Sequence, residues 1–523
     1  MKKEKIKKAA FLPLDDRPCT YDFVKMLSDY TDYKAELPPK ALLGKFLKAG
    51  KPERLESWLR KQAKTSDALL IAVDALLFGN LIASRSSNAN YAKILKKLNF
   101  LKKIAKQKKC ENVYVFNILT KLSPTVKNKK DILFVEKLKD FLAMTYNKIK
   151  FKKVNFKENW WDVYRLEEEA VKTGLPWPKV KEYLRNRLRN HKINLIMLDW
   201  AKEGLFEYLI ICLDDTKTAS LNLVEKDVLR KKLKALNLKD KVTIYPGTDE
   251  AIGLLAGRFF IKARDMRPKI YIDFVPSYGS RVVPSYEDIT LKEIISDQIS
   301  AIGALQVAIQ EQADIILMVN SPVNQQHEAS IQEGKTFQKN RLLIYKEFLQ
   351  KLNQYFQEGK IVAVADTAFA NGADIGLAEV LRKNMEITKL ASYAAWNTAS
   401  NTMGTALLQA ILYFLYPEAR SSKAHYRFLI NRLLDDWLYQ SVVRPYVINK
   451  VRGKKTDIYN LGSKYSAVQS MVAKSMKKVS QRLFNETFKN NPNISKIKLK
   501  KAKLPWPRLF EADIDVDIVM AKK

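Results

Sequence analysis

Asp214 and Asp215 are the residues best suited to chemistry in this chain. They follow the apolar run YLIICL, and Thr216 and Thr218 stand close enough to hydrogen-bond to them. Inside a strand adjacent side chains face opposite ways, but at a strand end the backbone turns and both carboxylates can reach one pocket. Two close carboxylates push one pKa up and leave the other ionised. Acid/base work at a glycosidic bond requires that pairing. The competing reading makes one Asp catalytic and the other a helix cap or the partner of an arginine.

Further polar groups recur after apolar runs. Asp15, Asp16 and Arg17 follow FLPL. An arginine there either clamps a substrate carboxylate or phosphate in two-point geometry or locks the Asp pair. Asp74, Asn80 and Arg85 follow LLIAV, and Asp249 and Glu250 follow VTIYPGT, where helix capping is the rival role. Asp273 precedes Phe274, Pro276 and Tyr278, which combines a carboxylate with aromatics that can stack on a sugar ring. Asn320, Asn371 and Asp374 come later, and Gly372 permits a tight backbone. Trp396, Asn397 and Asn401 form either a sugar-binding wall or a buried Trp before a capped helix. Asp435 and Asp436 lie in an apolar helical pattern and need a partner, for which Arg444 is the candidate. His191, His327 and His425 lack metal-site spacing, and there is no Gly-rich phosphate loop or dinucleotide fingerprint. No metal and no cofactor is therefore expected, although hard cations prefer oxygen ligands and a metal on the carboxylates stays an alternative.

These groups need a scaffold that brings strand ends together. Eight apolar runs read as strands: 6–16, 69–73, 113–119, 208–213, 242–245, 270–274, 314–319 and 361–365, with ITKLASYAAW (387–396) as a ninth. Long unbroken runs such as DIILMV favour parallel strands covered on both faces. Alternation with helices predicts an α/β fold, a (β/α)8 TIM-like barrel, complete or distorted. An open doubly wound sheet has the same local signature. The expected division is a catalytic domain over 1–415, with a helical insertion at about 128–199, and a mainly helical domain over 416–523. ADIDVDIVM (512–520) alternates like an edge strand.

Composition bounds the rest. With 523 residues, 47% of them hydrophobic, the chain can bury a large core. No apolar stretch is long enough to cross a bilayer, and Pro13 and Asp15 interrupt any signal-like region. Cys19, Cys110 and Cys212 fit a reducing compartment, so a cytoplasmic location is expected. Cys212 reads as a small buried hydrophobe. The formal net charge is +36, from 92 basic and 56 acidic residues. Such a surface favours polyanions: nucleic acid, anionic glycopolymers or membrane surfaces. Whether the chain forms a homo-oligomer is left open.

PLDDRPC, LPPKALLG, VDALLFGNLIASR, LDDT, YPGTDE, ANGAD, WNTASNTMGT and DDW resemble, in order, the bacterial domain-of-unknown-function family numbered 4127. That resemblance spans nearly the whole chain and implies no reaction. The order of features is also similar to glycoside hydrolase family 84, barrel enzymes that remove N-acetylhexosamines. That likeness implies that Asp214 orients the substrate acetamido group and Asp215 is the general acid/base. It also implies sugar-binding roles for Asp273, Tyr278 and Asn320, with Trp396 and Asn397 extending the wall. The aromatic Asn–Tyr–Pro context of that family is absent here, FVPSY is a loose counterpart, and the insertion has none. The expectation is a glycoside hydrolase acting on an amino-sugar-containing glycan or glycoconjugate by substrate-assisted catalysis. The alternatives are a metal-dependent hydrolase of phosphate esters or amides, and a basic polyanion-binding protein.

Overall fold

The computed structural model describes residues 6–107, 112–122, 124, 130–216, 220–332, 341–452 and 456–521. Cys110 and Thr218, both named above, lie outside them. The described chain divides into two compact units. One comprises Met1–Asp16, Ala35–Leu255 and Tyr286–Asp288; the other comprises Arg17–Lys34, Ala256–Ser285 and Ile289–Lys523.

The apolar runs become strands. β1 (Lys8–Leu12), β2 (Lys34–Glu36), β3 (Ala68–Ala72), β4 (Asn112–Leu119), β5 (Tyr208–Leu213) and β6 (Val242–Pro246) form a sheet in the order β2-β1-β3-β4-β5-β6. The pairings from β1 through to β6 are parallel. Every residue of β3, β5 and β6 is buried, as two-sided helical cover requires. The helix Pro52–Thr65 carries its proline in the first turn, where no N–H is needed. The strand order reverses around β1, the kind of position at which open α/β sheets bind ligands.

In the second unit, β7 (Lys269–Val275), β8 (Leu305–Gln306), β9 (Ile315–Asn320), β11 (Ile361–Asp366) and β13 (Ser392–Ala394) form a parallel sheet in the order β13-β11-β9-β7-β8. β10 (His327–Glu328) pairs with β12 (Phe369–Ala370) beside it. β14 (Ile494–Lys503) and β15 (Asp513–Met520) make an antiparallel hairpin. β15 is the alternating segment read from the sequence; β14 lies in a lysine-rich stretch expected to be helical.

The α/β class and the parallel strands stand, but the barrel does not. A closed ring needs its first and last strands to pair. In the first sheet the free side of β1 is taken by the three-residue β2, and β6 is an edge. The expected strands are thus shared between two open sheets. The region beyond 416 is largely helical, as expected, with a π-type stretch at Leu433–Val443. It does not separate at 415/416, because Leu434, Trp437 and Val516 share one apolar core with Ile316 and Val364 of β9 and β11.

Helices Lys130–Ile149, Trp160–Val163, Leu166–Lys172 and Trp177–Lys202 lie between β4 and β5, in the region read as an insertion. Its Phe141, Trp160, Trp161 and Leu184 pack in an apolar core completed by Leu221 and Val224 of the helix after β5 and distinct from the core of the second unit. Phe141→Ala there should cost about 3–5 kcal/mol. Hydrogen exchange should rise in helices Lys130–Ile149 and Trp177–Lys202 and stay unchanged in β9 and β11; equal loss of protection everywhere would show that this core is not separate from that of the second unit.

Candidate active site

The carboxyl edge of the first sheet collects most of the acidic residues read from the sequence. Asp15 and Asp16 follow β1, Asp74 follows β3, Asp214 and Asp215 follow β5, and Asp249 and Glu250 follow β6. Parallel pairing alone places these strand ends together.

Asp214 and Asp215 do not act on each other as a bare pair. Asp214 is buried, and Oδ2 accepts from Arg85 Nε at 2.8 Å and lies 2.5 Å from the Arg85 NH2 nitrogen. The backbone N–H of Lys121, just past β4, donates to the same oxygen at 3.2 Å. Asp215 turns outward with its side chain 43% exposed, and Lys121 Nζ donates to it at 2.7 Å. Desolvation raises the Asp215 carboxyl, but Lys121, with help from Arg85, outweighs it and holds the group below its usual range. Repulsion within the pair was expected to raise one of the two; Asp215 is instead lowered by Lys121 and Arg85.

Arg85 is aimed by its own helix. Asn80 caps Leu81–Ser86 by accepting from the Ala83 N–H at 2.6 Å. Asn80 Nδ2 also donates to the carbonyls of Phe46 and Lys48, both at 3.2 Å. This fastens the 37–50 loop to the helix start. Gly44 lies so close that a Cβ there would overlap the Asn80 side chain. The Gly44 carbonyl accepts from the Asp16 N–H at 3.2 Å. Four separated motifs, DDR, PPKALLG, GNLIASR and LDDT, therefore meet as one hydrogen-bonded chain.

Two buried acids at this edge are poised differently from Asp215. Asp74 accepts the Ile118 N–H at 2.9 Å, yet burial, with Asp214 nearby, pushes it up to about 7. Burial, then the charges of Asp249 and Glu287, push Glu250 up to about 8 against its backbone hydrogen bond. Thr216 is fixed by its N–H to the Tyr286 carbonyl at 2.9 Å and by Asn222 at 3.2 Å.

The second unit holds the remaining candidates in a different state. Asp273 accepts from Lys351 Nζ at 2.9 Å and Tyr355 OH at 2.7 Å. Asn320 donates to Asp366 at 2.7 Å and accepts from Arg341 at 2.6 Å. Asp374 caps helix Ile375–Asn384 and also accepts from Arg341 and Tyr345. Asn371, in left-handed backbone, donates its N–H to the carbonyl of Asn397, which is also left-handed. Trp396 is buried against Phe510, with ring centres 6.2 Å apart, and Asn401 bonds Thr398, the cap of its helix. The reading as a buried Trp before a capped helix describes the Trp396 segment, which presents no open wall. Tyr278 is exposed. Arg17 is buried, 3.7 Å from Glu511 and 5.1 Å from the Trp506 ring centre.

Asp435 and Asp436 do have a cation, but it is Arg432 at 3.2 and 2.7 Å. Arg444 bonds Gln440 instead. One helical turn of separation puts residue 432, not 444, beside both carboxylates. Asp366, Arg341, Tyr345 and Lys121 were missed. Asp366 had a signal, since it ends IVAVAD as Asp214 ends its run; the others had none. His191 and His425 are buried and pushed down by lost solvation, to about 3 and about 4. Among the described residues, no three His, Cys, Asp or Glu side chains are grouped to hold a metal ion.

Arg85→Ala leaves Asp214 buried without its cation and should cost about 3–5 kcal/mol. Asn80→Ala should cost about 1–2 kcal/mol through the lost cap. Urea denaturation checks both; an Arg85→Ala loss below that of Asn80→Ala would contradict the buried pair.

A family model described as Protein of unknown function (DUF4127) matches residues 9–515. No curated protein matches the chain. The likeness to glycoside hydrolase family 84 finds no support in these comparisons.

Proposed function

We propose, from the premise that the chain belongs to the DUF4127 family, that it is a glycoside hydrolase working at the carboxyl edge of the first sheet. One observation carries this reading: neighbouring strands end in carboxyls of opposite protonation. Asp215, two residues beyond β5, is held ionised by Lys121. Glu250, four residues beyond β6, keeps its proton to about 8. β5 and β6 are paired, with Leu213 opposite Pro246. Glycosidic cleavage needs one neutral carboxyl to protonate the leaving oxygen and one carboxylate as base or nucleophile. Environments that push two carboxyls apart assign those roles.

In this reading Glu250 is the acid and Asp215 the base or nucleophile. This reverses the role drawn for Asp215 from family 84. Asp214 positions Arg85 and Lys121 and does no proton transfer. The substrate is a glycan or glycoconjugate, and N-acetylhexosaminides enter as one member of the test panel.

The test is hydrolysis across aryl glycosides as a function of pH. Activity should fall at low pH as Asp215 gains a proton, and fall above about pH 8 as Glu250 loses one. Glu250→Gln and Asp215→Asn should each lower kcat by about 10²–10⁴. Full turnover in either variant would end the assignment. Stability carries a related sign. The folded Glu250 pKa lies above its usual 4.5, so the folded state binds the extra proton, and stability from this group falls as pH rises from about 4.5 to about 8. Glu250→Gln should flatten that slope in pH-dependent urea midpoints.

A further inference from the structure

The insertion carries a projection that its own core does not use. From the last turn of helix Lys130–Ile149 toward helix Trp160–Val163 the chain reads KIKFKKVNFK, 148–157, with five lysines and no acid. Ile149, Val154 and Phe156 turn inward and join the insertion's core. Lys148 is engaged, with Glu169 and the Tyr164 carbonyl as acceptors. Phe151 turns outward and is 91% exposed. Lys150, Lys152 and Lys153 around it are exposed as well. Lys150 Nζ lies 5.0 Å from the Phe151 ring centre, and Lys152 Nζ lies 5.5 Å from that of Tyr164.

A single exposed apolar residue is ordinary. Here the ring stands almost wholly in water, between cations on both sides, on a buried apolar anchor. That is the arrangement an anionic bilayer accommodates. The ring enters the boundary between headgroups and acyl chains, while lysine stems extend and keep their ammoniums at the phosphates. A polybasic segment gains further from the negative potential of such a surface. A net charge of +36 steers the whole chain toward it. Single-stranded nucleic acid fits less well, because it calls for successive aromatic platforms along a cationic groove.

We propose that residues 150–153 are a peripheral docking element for an anionic lipid bilayer, with Phe151 as the inserted group and Lys150, Lys152 and Lys153 as headgroup contacts. The proposal does not depend on the hydrolase reading.

Flotation of the full chain with vesicles tests it, using phosphatidylcholine alone and phosphatidylcholine with phosphatidylserine. The chain should float with the serine-containing vesicles only, and less as salt rises. Phe151→Ala should lower the partition about tenfold, and K150E/K152E/K153E should remove it. All these side chains are exposed, so the thermal midpoints should match the parent chain. Binding that is unchanged in both variants would overturn the proposal, as would no binding by the parent. Capture of a single-stranded oligonucleotide, lost in the same variants while vesicles are ignored, would overturn it in favour of nucleic acid.

Discussion

Arg85 and Asp214 have side chains only 9% and 5% exposed. A buried carboxylate costs several kcal/mol unless a cation and hydrogen bonds meet it. That constraint organises the first unit. The pair requires the β5 end, the helix Leu81–Ser86 and the turn after β4 to hold their places together. Asn80 transmits the requirement to the 37–50 loop, and Gly44 lets that loop come close enough. Removing any one link would leave a buried charge or a buried amide with less than it needs.

The same rule explains the other buried acids, with different outcomes. Lys121 holds the part-exposed Asp215 below its usual range, whereas the fully buried Asp436 is raised to about 7 even with Arg432 at 2.7 Å, because desolvation outweighs the cation there. Where burial dominates and other acids are near, as for Glu250, the carboxyl keeps its proton. In the second unit Asp366, Asp374 and Asn320 are tied with Arg341, Tyr345 and Tyr393 into a buried network across the strand ends. Burial and the neighbouring Asp374 raise the Asp366 carboxyl. A network in which each oxygen has a donor fixes strand register and leaves little for a ligand. The first sheet's edge differs because Asp215 reaches solvent.

The insertion is tied to the first sheet through the helix Trp177–Lys202, where Asn194 bonds Asn117 of β4 and Arg187 bonds the Thr120 carbonyl. Its tryptophans and phenylalanines pack in a second apolar core together with Leu221 and Val224 of the helix after β5. Phe151 stands at a turn, and its exposure is a cost that core gives no reason to bear.

The sequence by itself determined the long strands of the two parallel sheets, though not β2, β14 or the two-residue strands. Runs such as ALLIA and YLIICL are apolar without interruption, and that pattern suits only strands covered on both faces. It also placed carboxylates at the carboxyl ends of parallel strands, which the fold then divided between two sheets, and it marked β15. Three things were decided only by tertiary structure. Ring closure depends on which strand takes the free side of β1, and KAE at 34–36 is too short to be read as that strand. The ionisation of each acid depends on cations distant in sequence: Arg85 stands 129 positions from Asp214, and Lys121 stands 94 from Asp215. The fate of Trp396 depends on Phe510 covering it, and a tryptophan beside amides looks the same in sequence whether buried or open. Local pattern reports what a segment prefers, while pairing and charge compensation are settled by neighbours that the chain brings together only on folding.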